Sequence, residues 1–471
     1  MEKQYDVIII GAGIAGICSA YELVENTNLK VLMLEQGNSI YNRICPIVQG
    51  KCTKCIGCKN CSIMKGYGGA GNFSDGKYNF TTEFGGWLTD YISKEEAMEL
   101  INYVDKMNMR FVSNEEMRNK INKDDTFLAK SKEAIEIEKR ALQNDLHLLH
   151  AKVKHLGTEN NLEILKNEYQ YLKQKLDIET LKKVDKIQKY GENYKVILSD
   201  KTEIITKYVI AAPGRSGAEW FSKECKRLGI NLINNQIDIG VRVELPNSVF
   251  SDITNNIYEA KLLYRTKAYG DIVRTFCMNP NGYVVTENVD GLITVNGHSY
   301  SDKTMGSNNC NFALLVSNRF TEPFNDPYLY GKRIASFSNL LGKGVIVQRF
   351  GDLIRGRRTN AHRLSQSFVK PTLKAEPGDL SLVLPKRHLD NIIEMIYALD
   401  KIAPGTANYD TLLYGVEVKF YSARPSMNKN LEIENFKNLY ACGDGAGVTR
   451  GLAQAGASGI YVARNIIKTL E

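Results

Sequence analysis

With 471 residues, 43% of them hydrophobic and 24% charged, the chain is globular and long enough for two or three domains. The net charge of +8 is mild at this size and permits an acidic partner without demanding one, and no run approaches the roughly 18 apolar residues of a membrane span. The N-terminus enters a strand with no basic leader or cleavage site, which predicts a cytoplasmic location, and ten cysteines there argue against a disulfide framework and for metal or redox use.

The first stretch organises the rest. Val7 to Ile10 is an apolar run without charge, as a buried parallel strand requires, and it breaks into Gly11-Ala12-Gly13-Ile14-Ala15-Gly16. An amphipathic helix follows, and a second apolar strand, Val31 to Leu34, ends in Glu35 and Gln36. Each part has a job in holding a dinucleotide. Gly11 allows a tight turn, Gly13 lets backbone approach a pyrophosphate, and Gly16 lets the helix lie close on the strand. The helix N-terminus adds free N–H groups and the positive end of a dipole. Glu35, 24 positions after Gly11, is placed to accept from ribose 2′- and 3′-hydroxyls.

Cys45-Pro46-Ile47 comes next, then Cys52, Cys55, Cys58 and Cys61, so half of the ten cysteines fall in one short stretch. Each CxxC step lets the intervening turn bring two sulfurs to one side, and the run resembles the cluster-binding cysteines of ferredoxins with its last spacing shorter by one. A four-iron cluster is the first reading, structural zinc the second, and a dithiol relay to a flavin the third. Lys51, Lys54, Lys59 and Asn60 interleave with the cysteines and argue against buried, merely structural thiols. The glycines Gly66, Gly68, Gly69 and Gly71 then allow backbone to lie flat against a ligand, with Ser74, Asp75 and Lys77 as polar groups that could face a flavin ring; the bland alternative is an ordinary flexible loop.

Residues 93 to about 175 are charged and helical in period, with acids and bases nearly balanced, which predicts a solvated helical pair split by the Gly157–Asn160 turn. His147, His150 and His155 fall here and read as helix-surface histidines. Alternation at Leu181–Ile187, Tyr194–Leu198 and Glu203–Thr206 predicts a small antiparallel ribbon, and Lys207 to Gly217 a further buried strand ending in Pro213-Gly214, with Trp220 on the next helix. From about Ile239 to Tyr421 short strands, long loops and a helix around His388–Leu399 suggest a separate lobe. Between Arg242 and Asp390 it holds 19 Lys and Arg against 13 Asp and Glu. Arg349, Arg355, Arg357, Arg358 and Arg363 could bind phosphate or carboxylate, or could fold against neighbouring acids. At the C-terminus a strand, Leu439–Ala441, runs into Gly443-Asp444, and Gly451 to Gly456 opens a last helix. That order would set an aspartate on a ribityl chain and a helix N-terminus at a flavin pyrimidine.

Taken together, GAGIAG, CPI, KCIGCKNCSIMKGYGGAGNFSDGKYNF, AAPGRSGAEW, FCMNPNGYVV, VNGHSYS and YACGDGAGVTRGLAQAG resemble the two-domain FAD-dependent dehydrogenases grouped with the HI0933-like flavoproteins. The resemblance implies an α/β fold: a Rossmann-type FAD-binding domain of the GR2 flavoprotein kind, a helical insertion, and a mixed α+β substrate domain. The expected segments are 1–92 (FAD domain with the cysteine loop), 93–180 (helical insertion), 181–238 (FAD domain), 239–421 (substrate domain) and 422–471 (FAD domain). FAD is expected at Gly11, Gly13, Ala15, Gly16, Glu35, Gln36, Gly69, Gly71, Gly214, Gly443, Asp444, Gly451 and Gln454, with adenine near Val184. Cys45, Cys55, Cys58 and Cys61 are the implied cysteine set, leaving Cys52 as an extra. Asn279 stands where a second cysteine after Cys277 is expected, which weakens a redox pair there.

The reaction expected is hydride delivery to a polarised C=C of a small molecule, with Tyr283, His298 or Tyr300 as proton donor. With one G-x-G-x-x-G in the chain, electrons would come from transiently docked NAD(P)H or through an iron–sulfur cluster from a ferredoxin-like donor, and the cysteine run just before the glycine loop favours entry through the cluster. Two other classes stay open, a flavoenzyme that modifies RNA bases and a non-enzymatic electron-transfer or redox-sensing protein.

Overall fold

The computed structural model describes residues 3–470 apart from 47, 53–55, 57, 75, 124, 128–130, 150, 258, 290 and 300–302. Of the residues singled out above, Ile47, Lys54, Cys55, Asp75, His150 and Tyr300 lie outside the described set. The chain divides into two compact units. The first is Met1–Phe127, Ala151–Asn235 and Ser422–Glu471, and the second is Leu128–His150 and Gln236–Tyr421.

In the first unit, β1 (Lys3–Ile10) is the centre of a seven-stranded sheet because its apolar run buries both faces. Ile8 and Ile9 are fully buried, each worth about 1.5–3 kcal/mol over an exposed side chain. α1 (Ile14–Asn26) leads to β2 (Val31–Leu34), which pairs parallel with β1 on one side and with Asp177–Glu179 on the other. β3 (Glu203–Ala211) pairs parallel with β1 along its length; its first half pairs antiparallel with Asn193–Leu198 and its second half parallel with Leu439–Ala441. Val184–Tyr190 completes the antiparallel ribbon. α2 (Gly214–Arg227) follows β3 directly. The C-terminal helix Leu452–Lys468 lies tight on α1: Ser19 Oγ donates to the Gly459 carbonyl at 2.9 Å, and a Cβ on Gly459 would stand 2.0 Å from the Ala15 carbonyl oxygen.

The stretch 93–180 is not one helical insertion. Helices Lys94–Arg110 and Thr158–Lys173 belong to the first unit, whereas 128–150 belongs to the second. Short strands interrupt the helical period: Leu146–Leu149 pairs with Lys261–Tyr264, and Lys152–His155 pairs with Lys77–Phe80. His147 therefore projects, exposed, from a strand and not from a helix, and Gly157 begins a helix after a strand and does not join two helices.

The second unit is built on an eight-stranded sheet. Its middle comprises β4 (Ile237–Pro246), β5 (Lys261–Arg265), β6 (Ile272–Asn279), β7 (Asn309–Asn318) and β8 (Leu412–Lys419), in the spatial order β5-β6-β7-β4-β8. Alternate residues Ile239, Val241, Val243 and Leu245 of β4 face a core that includes Ile392, Met395 and Ile396 of α3 (Lys386–Asp400). Asp238, Arg242 and Glu244, which alternate with the Ile239–Leu245 set, are as fully buried as the core, on the sheet's other face. Tyr283–Val289 and Leu292–His298 form a hairpin in which Tyr283 stands opposite His298, so two of the three expected proton donors are cross-strand neighbours.

Candidate dinucleotide site

The carboxyl ends of β1, β2 and β3 open on a cleft lined among others by Gly11, Gly13, Glu35, Gln36, Gly69, Val184 and Gly214 to Gly217. It lies beside the first turns of α1 and α2. In each, the leading N–H groups have no acceptor within the helix, so the cleft is bordered by two clusters of donors and two positive dipole ends. Gly11 takes φ +105°, and a Cβ there would stand 2.2 Å from the Ala212 carbonyl oxygen, so only glycine lets β1 turn against β3. A Cβ on Gly16 would likewise meet the Gly11 carbonyl oxygen at 2.0 Å. A Cβ on Gly13 would meet nothing nearer than the Gly69 Cα at 3.9 Å among the described residues, so the cleft is open on that side.

Glu35 is buried and holds the turn together. Its Oε2 accepts from the Ala12 N–H at 3.0 Å, and its Oε1 accepts from Gly37 at 2.8 Å and Gly66 at 2.9 Å. A carboxylate offers about four acceptor positions, so the three backbone donors leave room for a ribose hydroxyl, fewer than the sequence argument assigned to it. The glycine loop is fastened to the same turn by the Gly68 N–H, which donates to the Ala12 carbonyl at 2.8 Å.

Arg43 is the site residue that sequence reasoning missed. Its guanidinium donates to the carbonyls of Ser62 (2.8 Å), Ile63 (2.9 Å), Tyr67 (2.8 Å) and Gly69 (2.7 Å), with Gly66 at 3.4 Å. Burial lowers its pKa to about 10, which leaves it charged at neutral pH. A lone arginine between Asn42 and Ile44 carries no motif, so nothing local marks it. Lys182, Lys183, Arg215, Ser216 and Trp220 also line the cleft, and Gln36 Nε2 donates to Ser216 Oγ at 3.2 Å.

The remaining expected positions are also placed. Ala15 is buried beside Gly443, where a Cβ would meet the Ala15 Cβ at 2.9 Å, and the Gly443 N–H donates to Ser458 Oγ at 3.0 Å. Asp444 accepts from Thr449 Oγ1 at 2.8 Å and faces Arg215 Nε at 3.5 Å. The Gly71 carbonyl accepts from Asn161 Nδ2 at 2.9 Å. Gly451 caps the last helix, and Gln454 Nε2 donates to the carbonyls of Thr81 (3.1 Å) and Phe84 (2.9 Å).

Among the described residues no three His, Cys, Asp or Glu side chains converge as metal ligands, and Cys45, Cys52, Cys58 and Cys61 range from half-buried to exposed. The described thiols therefore do not by themselves fit a cluster or zinc. The arginine run folds against acids: Arg349 Nε donates to Asp410 at 2.9 Å, and Arg357 Nε to the buried Asp352 at 2.7 Å. Arg363 reaches Asp352 at 3.4 Å, Arg358 reaches Glu376 at 3.7 Å, and Arg355 stacks over Tyr409 at 4.6 Å. No described helix is long and apolar enough to cross a membrane.

Residues 236–420 match the family model described as FAD-dependent protein, C-terminal domain-like, and residues 9–42 match the NAD(P)-binding Rossmann-like domain. An uncharacterized protein of Clostridium beijerinckii is 25% identical over 488 residues, covering 98% of this chain and 81% of its own length. Solved structures with similarity include the halogenase PltM in complex with phloroglucinol and FAD (10% identity, TM-score 0.40, 99% of this chain and 71% of that one). Glycine oxidase from Bacillus cereus is another (12% identity, TM-score 0.36, 99% of this chain and 96% of that one). Likeness at such scores transfers no reaction. The family matches and the cleft support a flavoprotein of the FAD-dependent oxidoreductase type.

Proposed function

We propose that the protein binds FAD in this cleft and reduces an unsaturated small molecule. The observation that carries the reading is the cleft itself, where glycine backbone, two helix N-termini and a buried acid meet at the ends of parallel strands. Gly11, Gly13 and Gly16 would shape the wall for a pyrophosphate, α1 and α2 would face its charge, and Glu35 would hold a ribose. Val184 and Trp220 offer an apolar border suited to adenine, and Asp444, which faces the cleft residue Arg215 at 3.5 Å, an acceptor for a polyol chain. When bound, FAD supplies two-electron hydride chemistry to the site.

NAD(P)H is the proposed electron donor, and entry through Cys45, Cys55, Cys58 and Cys61 is the alternative. The test is an absorption spectrum with iron and zinc analysis on protein purified without oxygen. Flavin bands that bleach on adding NADPH or NADH support the reading. Flavin bands with about four irons per chain replace the donor, and no flavin at any stage overturns the reading.

A further inference from the structure

The helix Pro327–Gly342 of the second unit wears its large apolar side chains on the outside. A surface helix ordinarily turns such residues to the core and its polar ones to water. Here the buried positions are mostly small: Pro327, Gly331, Ile334, Ala335 and Ser338. A Cβ on Gly331 would run into Ile237 of β4, and Ser338 Oγ lies 2.8 Å from the carbonyls of Gly344 and Gly415, the second of them in β8. The helix is therefore held close on the sheet by residues with little apolar surface to bury.

The outer face carries that surface instead. Leu340 is 77% exposed, and Leu329, Phe337 and Leu341 are between 42% and 49% exposed. With the exposed Arg333 they fall at i, i+4, i+8, i+11 and i+12, so all five share one side of the helix. Single exposed apolar residues are normal on a monomer, but a contiguous stripe of them rimmed by charge marks an interaction surface.

This stripe is complementary to itself. One end is marked by Asp326, the N-cap, whose carboxylate accepts from the Leu329 N–H at 2.9 Å, and the other by Lys343 at the C-cap; both are exposed. In a second copy laid antiparallel about Ala335, Leu329 meets Leu341, Arg333 meets the ring of Phe337, and Lys343 falls beside Asp326. Two-fold symmetry makes each contact twice. The pairs are apolar on apolar, cation on ring and acid beside base, and the two helix dipoles oppose. A parallel copy would instead set Arg333 on Arg333 and Lys343 on Lys343. An anionic lipid surface would take the leucines but repel Asp326 at one end of the stripe.

We infer that two copies of this chain form a two-fold dimer by packing this helix antiparallel on itself, with Leu329, Phe337, Leu340 and Leu341 at its centre. The inference stands on the second unit and does not rest on the function proposed above. Sedimentation velocity of the full chain, from low to high micromolar concentration, tests it. The wild type passes from monomer to dimer, and Leu340→Lys weakens dimerisation at least tenfold with an unchanged melting temperature, since Leu340 faces water in the single chain. Leu329→Lys and Leu341→Glu each weaken self-association at least tenfold, whereas an equimolar mixture of the two recovers it, because the mixed dimer sets the introduced lysine on the introduced glutamate. If either of that pair fails to fold, Leu340→Lys and Phe337→Lys decide. A chain that is monomeric throughout, a dimer indifferent to Leu340→Lys, or a mixture of folded variants that stays monomeric overturns the inference. So does a monomer that binds phosphatidylglycerol vesicles in place of dimerising.

Discussion

Glu35 Oε1 accepts the Gly66 N–H at 2.9 Å, so the acid that ends β2 also fastens the glycine loop 31 residues further along. One side chain thus sets both the first turn and the loop that borders the cleft. Glu35→Gln keeps the shape but presents an amide N–H where a carboxylate oxygen met backbone donors. A hydrogen bond to a charged group is worth about 1.5–3 kcal/mol, so FAD affinity is expected to fall roughly ten- to a hundredfold. Flavin fluorescence titration reads this directly.

Gly11 and Gly191 both take positive φ, but only Gly11 has a wall against it. A Cβ at Gly11 would be 2.2 Å from backbone, whereas Gly191, at φ +60° in the turn before Asn193, has nothing within 4 Å. Gly191→Ala should cost only the left-handed penalty, about 1–2 kcal/mol. Gly11→Ala adds a clash with β3, for about 3–5 kcal/mol in all, and abolishes FAD binding. Thermal melts of the two variants check the difference.

Arg43 holds the loop 62–69 through its carbonyls, as one guanidinium with five donors can and an ammonium with three cannot. Arg43→Met is expected to destabilise the first unit by at least about 3 kcal/mol and to weaken FAD binding. Arg43→Lys should recover part of both. Urea unfolding alongside flavin titration measures the pair.

Glu168 predicts a pH signature. It is fully buried, neither carboxyl oxygen has a hydrogen-bond partner among the described residues, and burial raises its pKa to about 8. Cys18, Tyr67 and Tyr78, which feel its charge, are themselves pushed up by burial. Below the ordinary carboxylate range both folded and unfolded forms hold the proton. Between there and about 8 only the folded form does, so stability falls as pH rises through that window and levels off above it. Glu168→Gln removes the slope and is more stable than wild type at pH ~8.5 by a few kcal/mol, with little difference near pH ~4. Urea midpoints at the two pH values test it.

The turn from β1 to Glu35 was legible because its signals are local: an apolar run, three glycines at fixed spacing and an acid at the end of the next strand. Leu146–Leu149 was not, since its partner Lys261–Tyr264 lies more than a hundred residues on and its neighbours keep a helical charge period. His147 was misplaced for that reason. Asp238, Arg242 and Glu244 alternate with apolar residues, a pattern that reads as a solvated strand face; the partners of Asp238 and Arg242 are Arg274 of β6 and Glu417 of β8, which no window of sequence around β4 contains. Arg43 likewise acts through carbonyls, and carbonyls leave no trace in composition.

The most direct test of the account is an equilibrium titration of flavin-free protein with FAD, run beside Glu35→Gln and Gly11→Ala. Saturable binding at one FAD per chain, weakened by the first substitution and lost in the second, is the predicted result. FAD binding that is absent in the wild type, or present and unchanged in both variants, would contradict it.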